Sequence, residues 1–123
     1  NYAAKLLEQT PPPILTIFPQ GELQRSLKRP LAYKKGIDWI LKRYSGKVTI
    51  LPLAMRCEFT DQQLPVTWFE FADGIEADST NFPGINLLEK IETDLLESLE
   101  SRILAGEVGM NILSGKTIME QRA

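Results

Sequence analysis

The apolar positions of the chain recur with two periods. From Tyr33 they fall at Ile37, Ile40, Leu41 and Tyr44, one face of an amphipathic helix, and Gly46 supplies its stop. A longer stripe at Leu88, Ile91, Leu95, Leu99 and Ile103, with Glu92, Glu97 and Glu100 between, predicts a helix over 87–105. Asn86 and Glu89 have the spacing of a capping box at its start, and Gly106 stands at its end. Shorter runs rich in β-branched and aromatic residues predict strands at 14–18, 47–51 and 66–71, with 56–60 continuing the second beyond a bend at Pro52. Residues 61–65 read as the turn of an antiparallel hairpin, and residues 3–7 as a short helix ended by the prolines at 11–13.

Strand, helix, strand, hairpin strand, helix predicts an α/β fold, a mixed sheet flanked by helices. In it, 14–18, the following helix and 47–51 would form a right-handed crossover. The 14–18 run is apolar nearly throughout, the pattern of a parallel strand buried on both faces. Residues 1–106 read as one portion of a domain and 107–123 as a weakly patterned tail. The opening lacks an initiator Met and the layout of a signal peptide, and reads as starting partway through a longer protein.

Composition narrows the chemistry. Of 123 residues, 43% are hydrophobic and 24% charged, which is globular usage, and none is His. Without imidazole there is no Ser-His or Cys-His pair and no His-ligated zinc, and no metal site or cofactor is expected. Cys57 is the single cysteine, so no intrachain disulfide forms and a reducing cytoplasmic setting is expected. With no activator beside it, Cys57 reads as a mostly protonated core thiol. No apolar run approaches the roughly 20 residues of a membrane span. Ser114, Gly115, Lys116 and Thr117 do not make a phosphate-binding loop, because the glycine required upstream is displaced to Gly109.

Charge is unevenly placed. Eight of the fourteen Lys and Arg lie between 25 and 47 against one acid, Asp38, a local net of +7 in a chain whose total is −2. Such a segment after a strand end suits an anionic ligand, although Lys42 and Arg43 also suit a helix C-terminus on dipole grounds alone. The acidic total argues against nucleic acid. Phe18, Pro19, Gln20, Gly21 and Glu22 form the leading candidate site, a Pro-x-Gly exit from a strand that presents Gln20, Glu22 and Arg25. The simpler reading is a turn. Gly36, near the start of a helix, reads as a place of close approach by ligand or by packing, with Lys35 the contact beside it.

Three blocks together resemble a family. Phe18, Pro19, Gln20 and Gly21, then a basic stretch with Tyr33, Lys34, Lys35 and Gly36, then the run from Val48 to Leu53, are similar in order and spacing to the second half of a glycerolipid acyltransferase domain of the lysophosphatidate acyltransferase type. The resemblance covers about 14–72. It implies acyl transfer from acyl-CoA or acyl-carrier protein to the hydroxyl of a lysolipid acceptor, with peripheral membrane contact. In that family a His-x-x-x-x-Asp motif upstream supplies the general base, so this chain alone is expected to be inactive. Gln20 stands where the family has Glu, Glu22 and Leu23 where it has Thr and Arg, and Arg25 is the nearest basic residue. The resemblance makes Phe18, Pro19, Gln20, Gly21, Glu22, Arg25 and Lys35 the substrate-binding candidates. The alternative is a non-catalytic module that binds anionic lipid or phosphate through the same basic window.

Overall fold

In the computed structural model, which describes residues 2–11, 13–25, 27–61, 63–107 and 109–112, the chain is a small mixed α/β protein. It is built on a bent β-ribbon and one long helix. Helices α1 (Tyr2–Leu7) and α2 (Gly36–Arg43) come first. Strands β1 (Val48–Ile50), β2 (Leu53–Glu58), β3 (Val66–Phe71) and β4 (Ile75–Ala77) follow, then helix α3 (Ile85–Leu104). β1 pairs with β4 and β2 with β3, both antiparallel, giving two small two-stranded sheets.

The two sheets are successive stretches of one hairpin, separated by a bulge. Val48 faces Ala77 and Ile50 faces Ile75, whereas Leu53 faces Phe71 and Glu58 faces Val66. Residues 51 and 52 on one side therefore span the same gap as residues 72–74 on the other. Pro52 has no amide hydrogen to donate, and its carbonyl accepts from Ala72 N–H at 3.1 Å across the break. The extra residue restores the facing. Side chains alternate along a strand, so one inserted residue puts Ile75 and Ala77 on the same inner side as Trp68.

α3 packs on that inner side of β2 and β3. Leu31, Ala54, Leu96 and Leu99 form the buried cluster, with Tyr33, Trp68, Leu95 and Ile103 against it. The predicted stripe of the long helix is correct and gains Leu96. Its ends differ in how they are made. The N-cap is Gly84, with no side-chain cap, and Glu89 turns away to another partner, so the predicted capping box does not form. At the C-terminus Gly106 has φ +75°, Gly106 N–H donates to Ile103 O and Glu107 N–H to Arg102 O, the Schellman arrangement expected of this glycine.

The predicted strand at 14–18 is absent, and with it the right-handed crossover and the larger mixed sheet. Ile14 is 96% exposed, and Phe18 is exposed as well. The physical reason is a lack of partners: both two-stranded sheets keep open outer edges, but among the described residues none of these edges is paired with this segment. α2 starts at Gly36 rather than Tyr33, while Ile37, Ile40 and Leu41 keep the predicted face. Asp38 lies in its first turn and Lys42 and Arg43 in its last, complementing the dipole. No helix among the described residues is long and apolar enough to cross a membrane. Most of the tail predicted from 107 lies outside the described residues.

Candidate functional site

Phe18, Pro19, Gln20 and Gly21 form a tight turn, with Gly21 N–H donating to Phe18 O at 3.1 Å. Proline presets the backbone of the second position, and Gly21 adopts φ +70°, which favours glycine. The turn is held against the segment that leads into α2. Lys34 N–H donates to Pro19 O at 2.8 Å, and Gln20 Nε2 donates to Leu31 O at 3.1 Å. A Cβ on Gly21 would lie 3.3 Å from Lys34 Cγ. Two of the blocks singled out in the sequence are thus in direct contact.

Gln20 spends its amide on this scaffold, donating to Gln24 Oε1 as well as to Leu31 O. Gln24 in turn donates to Glu22 Oε1 at 3.2 Å. These two residues hold the loop's shape. Arg25, Lys34 and Lys35 are exposed, as are Phe18 and Glu22, and Pro19 is half-buried. Arg25 O accepts from Lys28 N–H at 3.0 Å, closing a second turn. Gly36 has nothing within 4 Å of where a Cβ would lie, so close packing does not account for it.

The segment is tied to α3 by residues that the sequence did not single out. Leu31 enters the core, Ala32 adopts φ +56°, and Tyr33 N–H donates to Glu89 Oε1 at 2.6 Å. A left-handed alanine costs about 1 kcal/mol or more, and here it reverses the chain between two anchors. Glu89 is therefore a clasp for this loop. Burial, then the Glu92 and Glu89 carboxylates, push the Tyr33 phenol far above its usual range and keep it neutral. Burial pushes the Glu92 carboxyl up to about 7. Farther along α3, Glu100 Oε1 meets Arg29 Nη2 at 3.1 Å and Arg56 Nη2 at 3.3 Å. Arg56 is 9% exposed, a buried cation that strand periodicity alone does not reveal.

No group of three or more Cys, Asp and Glu among the described residues could hold a metal ion. Cys57 is exposed rather than a core thiol, because its position in β2 faces away from α3. A hollow of about 60 Å³ lined by Lys47, Glu76, Ala77, Asp78 and Asn81 has room for a water or two and contains none of the candidate residues. What the loop offers chemically is an exposed cationic edge around a hydrogen-bonded turn, suited to an anion, with Glu22 as its carboxylate and no imidazole. Comparison with protein-family models, characterised proteins and solved structures finds no match to this chain.

Proposed function

We propose that this chain is the acceptor-side portion of an O-acyltransferase domain resembling the lysophosphatidate acyltransferases. The donor would be acyl-CoA or acyl-carrier protein, and the acceptor a lysolipid or related alcohol. The observation that carries the reading is the direct hydrogen bonding of the Phe18 to Gly21 turn to Leu31 and Lys34, which joins two of the three resembling blocks in one cationic loop. In the reaction an acceptor hydroxyl oxygen bonds to the thioester carbonyl carbon, the carbon–sulfur bond breaks, and the hydroxyl proton passes through a base to the leaving thiolate. Arg25 and Lys35 are assigned to an anionic group of donor or acceptor, and Gly21 to close approach at the turn. The resembling family takes its base from the upstream His-x-x-x-x-Asp motif, and the chain has no His.

A second observation supports the reading. The outer face of the ribbon carries Leu53 opposite Phe71 and Met55 opposite Phe69, all exposed. An apolar sheet face of this kind is suited to a further layer of an α/β domain. The test is thiol release from acyl-CoA with lysophosphatidate as acceptor, in a protein carrying a His-x-x-x-x-Asp segment ahead of this chain and in the 123-residue chain alone. Release is expected only from the former, and Arg25→Ala there should lower acceptor efficiency several-fold. Turnover by the chain alone would overturn the missing-base argument, and an unchanged Arg25→Ala value would remove Arg25 from the site. No release with any donor would leave the anion-binding module as the better account.

A further inference from the structure

The loop that holds the turn also has an unusual outer surface. Within fifteen positions it exposes Ile14, Phe18, Leu23 and Leu27, of which Leu23 is fully solvent-exposed, Phe18 is 75% exposed and Leu27 is 70% exposed. These side chains sit in no regular element, and the loop does not bury them elsewhere. Exposed Arg25 and Lys28 flank Leu27 and are joined by a turn hydrogen bond. The loop's one acid, Glu22, accepts a hydrogen bond from Gln24. Arg29 anchors the far end to Glu100, and Gln20 and Lys34 N–H anchor the near end. Leu23, Leu27 and the two cations are therefore presented between two anchors, with Ile14 and Phe18 just ahead of the first.

We propose that segment 14–28 is a membrane-docking loop, in which Phe18, Leu23 and Leu27 enter the headgroup region of an anionic bilayer while Arg25 and Lys28 meet lipid phosphates. The occupant follows from the chemistry. Large apolar side chains interleaved with cations match an interface that is apolar just beneath a negative surface. A protein partner would need an apolar patch rimmed by acids in the same spacing, whereas a fluid bilayer supplies both without shape matching. The inference deepens the lipid-acceptor reading and rests on it for its role, but the measurement below reads binding and not turnover, so the two fail separately.

Co-sedimentation with phosphatidylcholine vesicles, with and without phosphatidylserine, tests it on the full chain. Binding to the anionic vesicles is expected, weakening as salt rises. Arg25→Gln with Lys28→Gln should lower it about 25-fold, at about fivefold per charge. Leu23→Ser with Leu27→Ser should lower it about tenfold or more, without loss of thermal stability, because among the described residues these side chains are mostly or fully exposed. Depth is read separately by placing an environment-sensitive dye on Leu23→Cys in a Cys57→Ser background. A blue shift on anionic vesicles supports the proposal. Absence of binding, wild-type binding by either double variant, an unshifted dye, or self-association through Leu23 and Leu27 in place of vesicle binding would each overturn it.

Discussion

At Gly21 and Ala32 the backbone is left-handed, at φ +70° and +56°, and the two residues respond to that geometry in opposite ways. Adding a Cβ at Gly21 brings both the left-handed penalty and a contact with Lys34, so Gly21→Ala should cost about 1–2 kcal/mol. Removing one in Ala32→Gly should stabilise by up to about 1 kcal/mol, and thermal melts of the pair check both signs. Gly36 is the informative contrast. With open space around it and a place at the start of α2, Gly36→Ala should melt no lower than wild type. If activity falls while stability holds, the glycine serves approach of a substrate. At this scale the chain was partly legible: Pro19 and Gly21 announce their turn, but nothing in Leu31, Ala32 and Tyr33 signals a reversal, because an alanine carries no preference for φ +56°. Gln20, a candidate ligand group by sequence, donates its amide hydrogens to Gln24 and Leu31.

At the scale of elements, α3 organises the molecule through its carboxylates as much as through its leucines. Glu100 serves two cations, and its loss leaves the nearly dry Arg56 with the longer 3.9 Å contact to Glu58 Oε1, whereas loss of Arg56 leaves Glu100 still paired with Arg29 at 3.1 Å. Glu100→Ala should therefore destabilise by about 2 kcal/mol or more, and Arg56→Met by clearly less; chemical denaturation of both variants checks the asymmetry. Glu92 gives the pH signature. Its carboxyl titrates near 7 in the fold against 4.5 as an ordinary glutamate, so the fold favours the protonated form. That contribution is complete below about 4.5 and is lost as pH rises toward 7. The melting temperature should fall across this window in wild type and stay flatter in Glu92→Gln, with the variant more stable at alkaline pH. Glu89 was expected to cap its own helix, and it clasps Tyr33 instead. Spacing supplies a carboxylate at the right place for either use, and the choice depends on which backbone N–H the packing brings near.

At the scale of the whole molecule, the ribbon is two-sided and, among the described residues, only one side is covered. α3 and the Leu31 segment bury Ala54 and Arg56, while Met55, Phe69 and Phe71 face outward. An apolar dye that fluoresces on exposed hydrophobic surface should bind the native chain, and Phe69→Gln with Phe71→Gln should abolish most of the signal with little change in melting. A polar replacement that strongly destabilised the fold would mean that the outer face is already packed. The helices, the 66–71 strand, the antiparallel hairpin and the glycine stop at 106 were all readable from the amino-acid order, since each follows from periodicity and local backbone chemistry acting over a few residues. The failure at 14–18 has the same root. An apolar β-branched run states that the segment could be a strand, but a strand exists only where another edge accepts its hydrogen bonds, and here, among the described residues, none of the open outer edges of β1 to β4 is paired with it. The bulge opposite Pro52, the burial of Arg56 and the clasp of Glu89 on the cationic loop likewise depend on pairs of residues distant in the chain, whose meeting is set by packing and electrostatics rather than by any property of either residue alone.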